Sequence, residues 1–524
     1  MIHRSPLPDV EPPNQTLTEY VLGEAGPRAD KDAIVDGPSG RALTYSALAR
    51  GLRQAAKGLS LRGFGKGDVF ALHCPNVPEY AVAFHAVASL GGINTTINPL
   101  YTPEELRRQL NDAGAKLILT VPPFLQNVRE GIRDTGVEEV FVLGEADEAT
   151  PFEALLDSDG DPPEVALDPA TDLVVLPYSS GTTGLSKGVM LTHRNLVANL
   201  EQTRAGLGGP TESDVIMGVL PFFHIYGMVV VMSLTLRVGS TVISMPRFDL
   251  PGFLGLVQKH RATGAYLVPP IVLALAKHPV VDEYDLSSLR WILSGAAPLG
   301  RDVATATSER LGCAVVQGYG LTETSPVSHV NGLAPGRSKP GSVGPPAPST
   351  ECRVVDVSTG EDVAPGEKGE IWIRGPQVMQ GYLNEPDATR ASIDEDGWFH
   401  SGDIGYADED GDFFVVDRLK ELIKYKGMQV APAELEALLL THPKIADVAV
   451  VGKDDEEAGE IPKAFVVQAE EISGDEIMAF VAERVAPHKR VRRVEFVDRI
   501  PKSPSGKILR RVLVAYEREG GPLG

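Results

Sequence analysis

Tyr178 to His193 reads YSSGTTGLSKGVMLTH, and hardly a large side chain interrupts its first half. Ser179, Ser180, Thr182 and Thr183 offer hydroxyl donors, Gly181 and Gly184 let backbone N–H groups turn toward an anion, and Lys187 adds a full positive charge. Those are the groups that hold phosphate. The pattern is not G-x-x-x-x-G-K-[ST], because Ser186 precedes Lys187 and Gly188 follows it. A flexible linker can share this composition. A linker is not usually bracketed by a core strand and a helix, yet TDLVVLPY runs into the loop and a helical pattern leaves it behind a Thr192 N-cap. Strand, small-residue loop and helix predict the phosphate loop of an α/β protein.

Four further stretches carry chemistry. LPFFHIYG sets His224 among aromatics, where a lone histidine is more often packed core than a reacting group. QGYGLTET predicts a Gly-Tyr-Gly turn that admits a flat ring close to the backbone, with Glu323 as a single carboxylate for Mg²⁺. WFHSGDIGY predicts a turn that offers Asp403 to a ribose diol, and PKSPSGKILRR predicts a glycine-containing hairpin that presents Lys507.

The elements around these stretches decide how they meet. From about residue 30 to 350, short β-rich runs such as DVFALHC, KLILTV, TVISMP, AYLVPP and WILSG alternate with helical patterns, which predicts parallel sheets covered by helices. Between about 350 and 417, short strands with Gly and Asp turns predict an antiparallel or barrel-like piece. After Asp417 a compact α+β unit follows, with helices over APAELEALLLTH and GDEIMAFVAERV and strands over DVAVVG, PKAFVV and VEFVD. Its tail from His488 to Arg511 is strongly basic, either a solvated face or a lid whose charge meets phosphates on the larger part.

At 524 residues the chain exceeds one core and is expected to hold two to four domains. A net charge of −22 argues against nucleic acid as a partner. Cys74, Cys313 and Cys352 lie far apart without a C-x-x-C, so reduced, buried thiols are expected rather than disulfides or zinc. The N-terminus lacks the apolar core of a signal peptide, and the stretch around GMVVVMSLTL is too short for a membrane span. The expected compartment is the cytosol.

In this order the motifs resemble the adenylate-forming superfamily of acyl-CoA synthetases, firefly luciferases and peptide-synthetase adenylation domains. SSGTTGLSKGVMLTH, PFFHIYG, SGAAPLG, VVDRLKELIKYKGMQVAPAELE and PKSPSGKILRR look most like the 4-coumarate–CoA ligase branch, and the resemblance covers nearly the whole chain. It implies a large N-terminal domain over residues 1–419 and a small mobile C-terminal domain over 420–524. It also implies a two-step reaction, in which ATP activates a carboxylate as an acyl-AMP and a thiol then displaces AMP. The small-residue loop, Ser179 to Gly184 with Lys187, would close over the β- and γ-phosphates. Gln317, Gly318, Tyr319 and Thr322 would contact adenine and the α-phosphate, Glu323 would hold Mg²⁺, and Asp403 and Arg418 would hold the ribose. Lys507 would bridge the carboxylate and the α-phosphate, with His224 flanking the acyl site. Lys420 matches the hinge, Lys424 and Gln429 match residues of the thioester step, and Lys426, Gly427 and Arg247 match contacts to coenzyme A.

The resemblance places Tyr226, Val230, Val268, Leu293, Gly295, Ala296, Gly320, Pro326 and Val327 around the acid. Val230 and Leu293 stand where plant members often carry polar residues, and an apolar lining leaves a para-hydroxyl unpaired at a cost of ~1–3 kcal/mol. Cinnamate, another apolar aryl acid or a medium-chain acid is therefore expected to serve as well as coumarate. Thr324 and Ser325 depart from the branch's usual Ala-Gly before Pro326. Two rivals share the adenylation step. A luciferase-like oxygenase would emit light with a luciferin, and a carrier-loading module would charge a carrier protein but not coenzyme A; the amino-group-binding Asp of such modules is not apparent near FFHIYG.

Overall fold

The computed structural model describes the chain except for residues 24–25, 180–185, 335, 427, 456, 505 and 520–524. Among the described residues the strands form four sheets. The first runs in the order Gly381–Tyr382, Lys187–Thr192, Leu173–Ser179, Ile93–Thr96, Val69–Leu72, Ala115–Thr120, Glu139–Val142, Thr150–Pro151. It is parallel from Leu173–Ser179 onward and antiparallel at the opposite margin. The second runs Val327–Val330, Ala314–Gly320, Trp291–Ser294, Gly264–Leu267, Val215–Gly218, Thr241–Ser244, Asp32–Asp36, Ala42–Thr44, parallel inside and antiparallel at both edges. Helices cover these strands, so their side chains are buried on both faces; Val174, Val175, Ile216, Met217, Ala265 and Ile292 are all fully enclosed.

The third sheet is the antiparallel piece expected from the sequence, with His3–Arg4, Glu351–Val355, Gly369–Arg374, Phe399–Ala407 and Phe413–Arg418 side by side. The fourth belongs to the C-terminal unit, where the long hairpin Ile445–Asp455 and Gly459–Gln468 is flanked by the short hairpin Ile423–Tyr425 and Met428–Val430 and by Arg493–Phe496. Its apolar side chains, including Ile423, Leu435, Val448 and Ile477, form a core separate from the one that contains Phe84, Phe222 and Phe413. The changeover falls around Lys420, in the turn between Phe413–Arg418 and Ile423–Tyr425. A small cluster of Ile404, Leu422 and Ala431 bridges it. Cys74, Cys313 and Cys352 are buried free thiols. No helix among the described residues is long and apolar enough to cross a membrane.

Three local readings are corrected. The loop after Tyr178 does not feed a helix directly: Lys187–Thr192 is a strand paired antiparallel with Leu173–Ser179, so the loop closes a hairpin. The helix His193–Leu207 starts a whole strand later. Thr192 caps it as expected, in a capping box with Asn195, and the length of strand Lys187–Thr192 separates its amino end from Lys187. QGYG is not a turn but the end of strand Ala314–Gly320. Its glycines serve close approach, since a Cβ on Gly320 would run into the Pro326 carbonyl and one on Gly318 would lie 3.3 Å from the His329 carbonyl. Asp403 likewise sits within strand Phe399–Ala407, which Gly402 bends with a φ of 70°. In each case the glycine signal was real and its structural cause was different.

Candidate active site

The residues singled out in the sequence gather where strands of three sheets end. Ser179 closes strand Leu173–Ser179 and pairs with Lys187 across the hairpin; Ser180, Gly181, Thr182, Thr183 and Gly184 lie outside the described residues. Lys187 holds its ammonium 5.2 Å from the centre of the Tyr382 ring. Tyr382 in turn donates its hydroxyl to Glu323 Oε1 at 2.9 Å. One phenol therefore separates the loop's cation from the buried carboxylate and fixes both. Glu323 sits in the 3₁₀ turn Thr322–Thr324, and its carbonyl accepts from Met379 N–H at 2.9 Å. Tyr382 was not among the residues chosen from the sequence. QGYLNEP gives no local sign of it, because its role depends on strand Gly381–Tyr382 pairing with Lys187–Thr192.

Asp403 and Arg418 are direct cross-strand partners in the third sheet, with Arg418 Nε 3.3 Å from Asp403 Oδ1. Tyr319, from the second sheet, donates its hydroxyl to Asp403 Oδ2 at 2.7 Å. Burial raises the Asp403 pKa above the usual carboxylate range, and Arg418, Tyr319 and Lys507 hold the rise back. Gln317 is buried, and its carbonyl accepts from Asn331 N–H at 3.0 Å. This locks the strand that carries Tyr319.

Lys507 comes from the C-terminal unit. Its loop is tied by Ser503 N–H to the Lys507 carbonyl at 2.8 Å and by Lys507 N–H to Ser503 Oγ at 3.1 Å, with Gly506 at a φ of 79°. A Cβ on Gly506 would lie 2.9 Å from Val268 of the larger body, so the loop packs tightly against the candidate acyl region. Burial lowers the Lys507 pKa below that of a free lysine. Arg418 lowers it further, while Asp403, Glu323 and Glu421 pull it back. His224 lies in the same field: burial first and Lys507 second drive its pKa down to about 3, so the imidazole is neutral.

His224 leads into the π-helix Tyr226–Leu234, a geometry found mostly at functional sites. The hydroxyl of Tyr226 donates to the Leu293 carbonyl at 3.1 Å, and a Cβ on Gly295 would approach the Tyr226 ring to 3.1 Å. Val230, Val268 and Leu293 are buried beside them. Ala296 and Ser325 both have a φ of 70°. The Pro326 carbonyl accepts from Leu321 N–H and Thr324 Oγ1, and Val327 N–H donates to Asn199.

The remaining residues stay outside this gathering. Lys424 and Gln429 face each other across the short hairpin and are exposed, and Lys424 N–H donates to Glu460. Lys426, exposed at a φ of 49°, pairs with Glu457 at 2.6 Å; Gly427 lies outside the described residues. Arg247 is exposed after strand Thr241–Ser244, and Lys420 is exposed in its turn.

A half-buried ammonium and guanidinium facing two buried carboxylates, at the carboxyl ends of parallel strands and under a second unit, define an α/β enzyme built to handle phosphate. The chain belongs to the AMP-binding enzyme family: the family model matches residues 24–383, and that of the AMP-binding enzyme C-terminal domain matches 434–507. It is 46% identical to 4-coumarate–CoA ligase 3 of Oryza sativa subsp. japonica, over 100% of this chain and 96% of that protein. It is 45% identical to the 4-coumarate–CoA ligase of Pinus taeda, over 98% and 97%. Among solved structures, an anthranilate CoA ligase in complex with anthranoyl-AMP superposes with a TM-score of 0.91 at 26% identity, covering 97% of this chain and 98% of that one. ATP-bound MatB from Rhodopseudomonas palustris gives 0.88 at 30% identity, covering 97% and 100%.

Proposed function

We propose that the protein is an ATP-dependent acid–thiol ligase that activates a cinnamate-type acid and transfers it to coenzyme A. The observation that carries this reading is the Lys507 segment packed against Val268 of the larger body, with Lys507 in the field of Glu323 and the Asp403–Arg418 pair. An acyl adenylate forms when a carboxylate oxygen attacks the α-phosphorus and the bond to the β-phosphate breaks, releasing pyrophosphate. Negative charge grows on the α-phosphate during that step, and a lysine held in a low-dielectric site meets it. Asp403 would accept hydrogen bonds from the ribose, Gln317, Gly318, Tyr319 and Thr322 would line the adenine, and the hairpin loop with Lys187 would hold the β- and γ-phosphates. In the second step a thiol sulfur attacks the acyl carbon and AMP leaves with the pair of the mixed-anhydride bond. Lys424 and Gln429 would serve that step, with Lys426, Gly427 and Arg247 along coenzyme A.

Mg²⁺ fits Glu323. The ion takes one or two protein carboxylates and completes its shell with phosphate oxygens and water, and the Tyr382 hydroxyl holds this carboxylate in one orientation. When bound, the ion would neutralise phosphate charge. The reading divides the chain at Lys420 into 1–419, which binds nucleotide and acid, and 420–524, which brings Lys507. Separate apolar cores on the two sides support that division.

Pyrophosphate release across a panel of aryl and aliphatic acids tests the reading. Cinnamate is expected to reach a kcat/KM at least comparable to coumarate, because Val230 and Leu293 offer a ring hydroxyl no partner. Val230→Ser should shift preference toward coumarate by up to about tenfold, roughly one hydrogen bond. An enzyme that uses caffeate and rejects cinnamate would overturn the apolar-pocket reading. Absence of release with every acid would overturn the ligase.

A further inference from the structure

Helix Pro432–Leu440 of the C-terminal unit has no side-chain cap of its own: Ala431 stands at its N-cap position and makes no such bond. Both ends are instead held by charged residues that precede Lys420. At the N-terminus, Ala433 N–H donates to Asp417 Oδ2 at 2.8 Å, and Asp417 belongs to strand Phe413–Arg418 of the third sheet. At the C-terminus, Lys277 Nζ donates to the Leu440 carbonyl at 2.6 Å and lies 3.5 Å from the Ile445 carbonyl. Lys277 is the last residue of helix Pro269–Lys277, which begins one residue after Val268. A carboxylate at the amino end and an ammonium at the carboxyl end are the signs that complement a helix dipole. The middle of the helix is also seated, since a Cβ on Gly300 would lie 3.5 Å from Ala437 Cβ.

The same helix reaches toward Lys507. Its Glu436 is paired at 2.7 Å with Arg510, which also pairs with Glu421 at 3.0 Å and opens helix Arg510–Glu519 three residues after Lys507. Asp417 lies in the field of Arg510 as well.

We propose that helix Pro432–Leu440 is the handle by which the larger body holds the C-terminal unit in the pose that delivers Lys507, with Lys277 and Asp417 as positioning residues at its two ends. The proposal rests on the two-step reading above. Rotation about Lys420 for the thioester step must draw Leu440 away from Lys277 and Ala437 away from Gly300. These contacts therefore favour the first half-reaction and oppose the second.

Two measurements test it. Lys277 is exposed, so Lys277→Met is expected to fold normally. It should slow pyrophosphate release about three- to tenfold, the scale of one hydrogen bond at an exposed position. Thioester formation from supplied acyl-AMP should stay equal or become faster, amide exchange in helix Pro432–Leu440 should quicken, and Lys277→Arg should restore all three. Equal slowing of both half-reactions, or unchanged exchange, would overturn the proposal. The second measurement uses the pair Gly300→Cys and Ala437→Cys, whose Cβ separation suits a disulfide. Oxidation should preserve pyrophosphate release and block thioester formation, and reduction should restore it. A pair that never oxidises, or an oxidised enzyme that still makes thioester, would also overturn it. Helix exchange and disulfide formation need no substrate, so they separate failure of the handle from failure of the ligase reading.

Discussion

Two short hairpins of the C-terminal unit each present a lysine, and their surroundings are opposite. Lys507 lies in the electrostatic field of Arg418, Asp403 and Glu323, with Gly506 pressed against Val268. Lys424 stands across from Gln429 on an exposed hairpin whose recorded partners, such as Glu460 and Glu457, lie in the same unit. Lys424 lies within a strand of the fourth sheet, whereas Lys507 lies on a segment pressed against the larger body, so this placement presents the two lysines to different surroundings. On the proposed two-step reading, the fold would serve both steps by moving one unit, with Lys420 in the turn that would absorb the change in φ and ψ.

The largest expected effect breaks one side of that contrast. Lys507→Ala should cut acyl-AMP formation at least about a hundredfold, the scale for removing a group that meets transition-state charge. It should leave thioester formation from supplied acyl-AMP largely intact; equal loss in both assays would make Lys507 structural. Lys424→Ala should show the mirror image, with pyrophosphate release preserved in a single turnover and thioester formation reduced about tenfold or more. Next in size, Lys420→Pro fixes φ near −65° and should impede the movement between poses. Single-turnover pyrophosphate release should stay near normal while acyl-CoA formation falls at least about tenfold, roughly 1.4 kcal/mol of barrier. Wild-type acyl-CoA formation in this variant would rule out alternation about Lys420.

The smallest effect concerns His224. With its pKa driven down to about 3, the imidazole is protonated only below that value, so its NMR titration should show no inflection between about pH 5 and 8. Because Lys507 contributes to the depression, Lys507→Met should raise the His224 pKa, though burial keeps it below the ordinary 6.5. An inflection near 6.5 in the wild type would show that His224 is not enclosed in solution as it is in this structure.

Lys187, Glu323, Asp403 and Lys507 could be singled out in the sequence because charges and their flanking glycines are local facts. Alternating apolar runs likewise gave the parallel sheets and the antiparallel third sheet. The local conformations were less legible. Gly318, Gly320 and Gly402 were read as turn formers, yet all three lie in strands; two admit a neighbouring carbonyl and one bends the chain. GVMLT was absorbed into the approach to a helix, although its β-branched and apolar residues pair with Leu173–Ser179. Tyr382, Asp417 and Lys277 were invisible for a deeper reason. Each acts on a group far away in sequence, and nothing in their flanking residues encodes that partner.

Each of the four sheets contributes part of the candidate site: Lys187, Tyr319, the Asp403–Arg418 pair and, from the unit built on the fourth, Lys507. On the proposed reading three of the four lie in residues 1–419 and the fourth adds Lys507, so the nucleotide would bind the docked whole more tightly than the larger body alone. A ligand that prefers the docked form would stabilise that form, by up to about 2.7 kcal/mol at a hundred times its Kd. Nucleotide should therefore merge separate melting events of the two cores into one. The height of that shared transition would measure how firmly the pieces are joined, independently of any turnover.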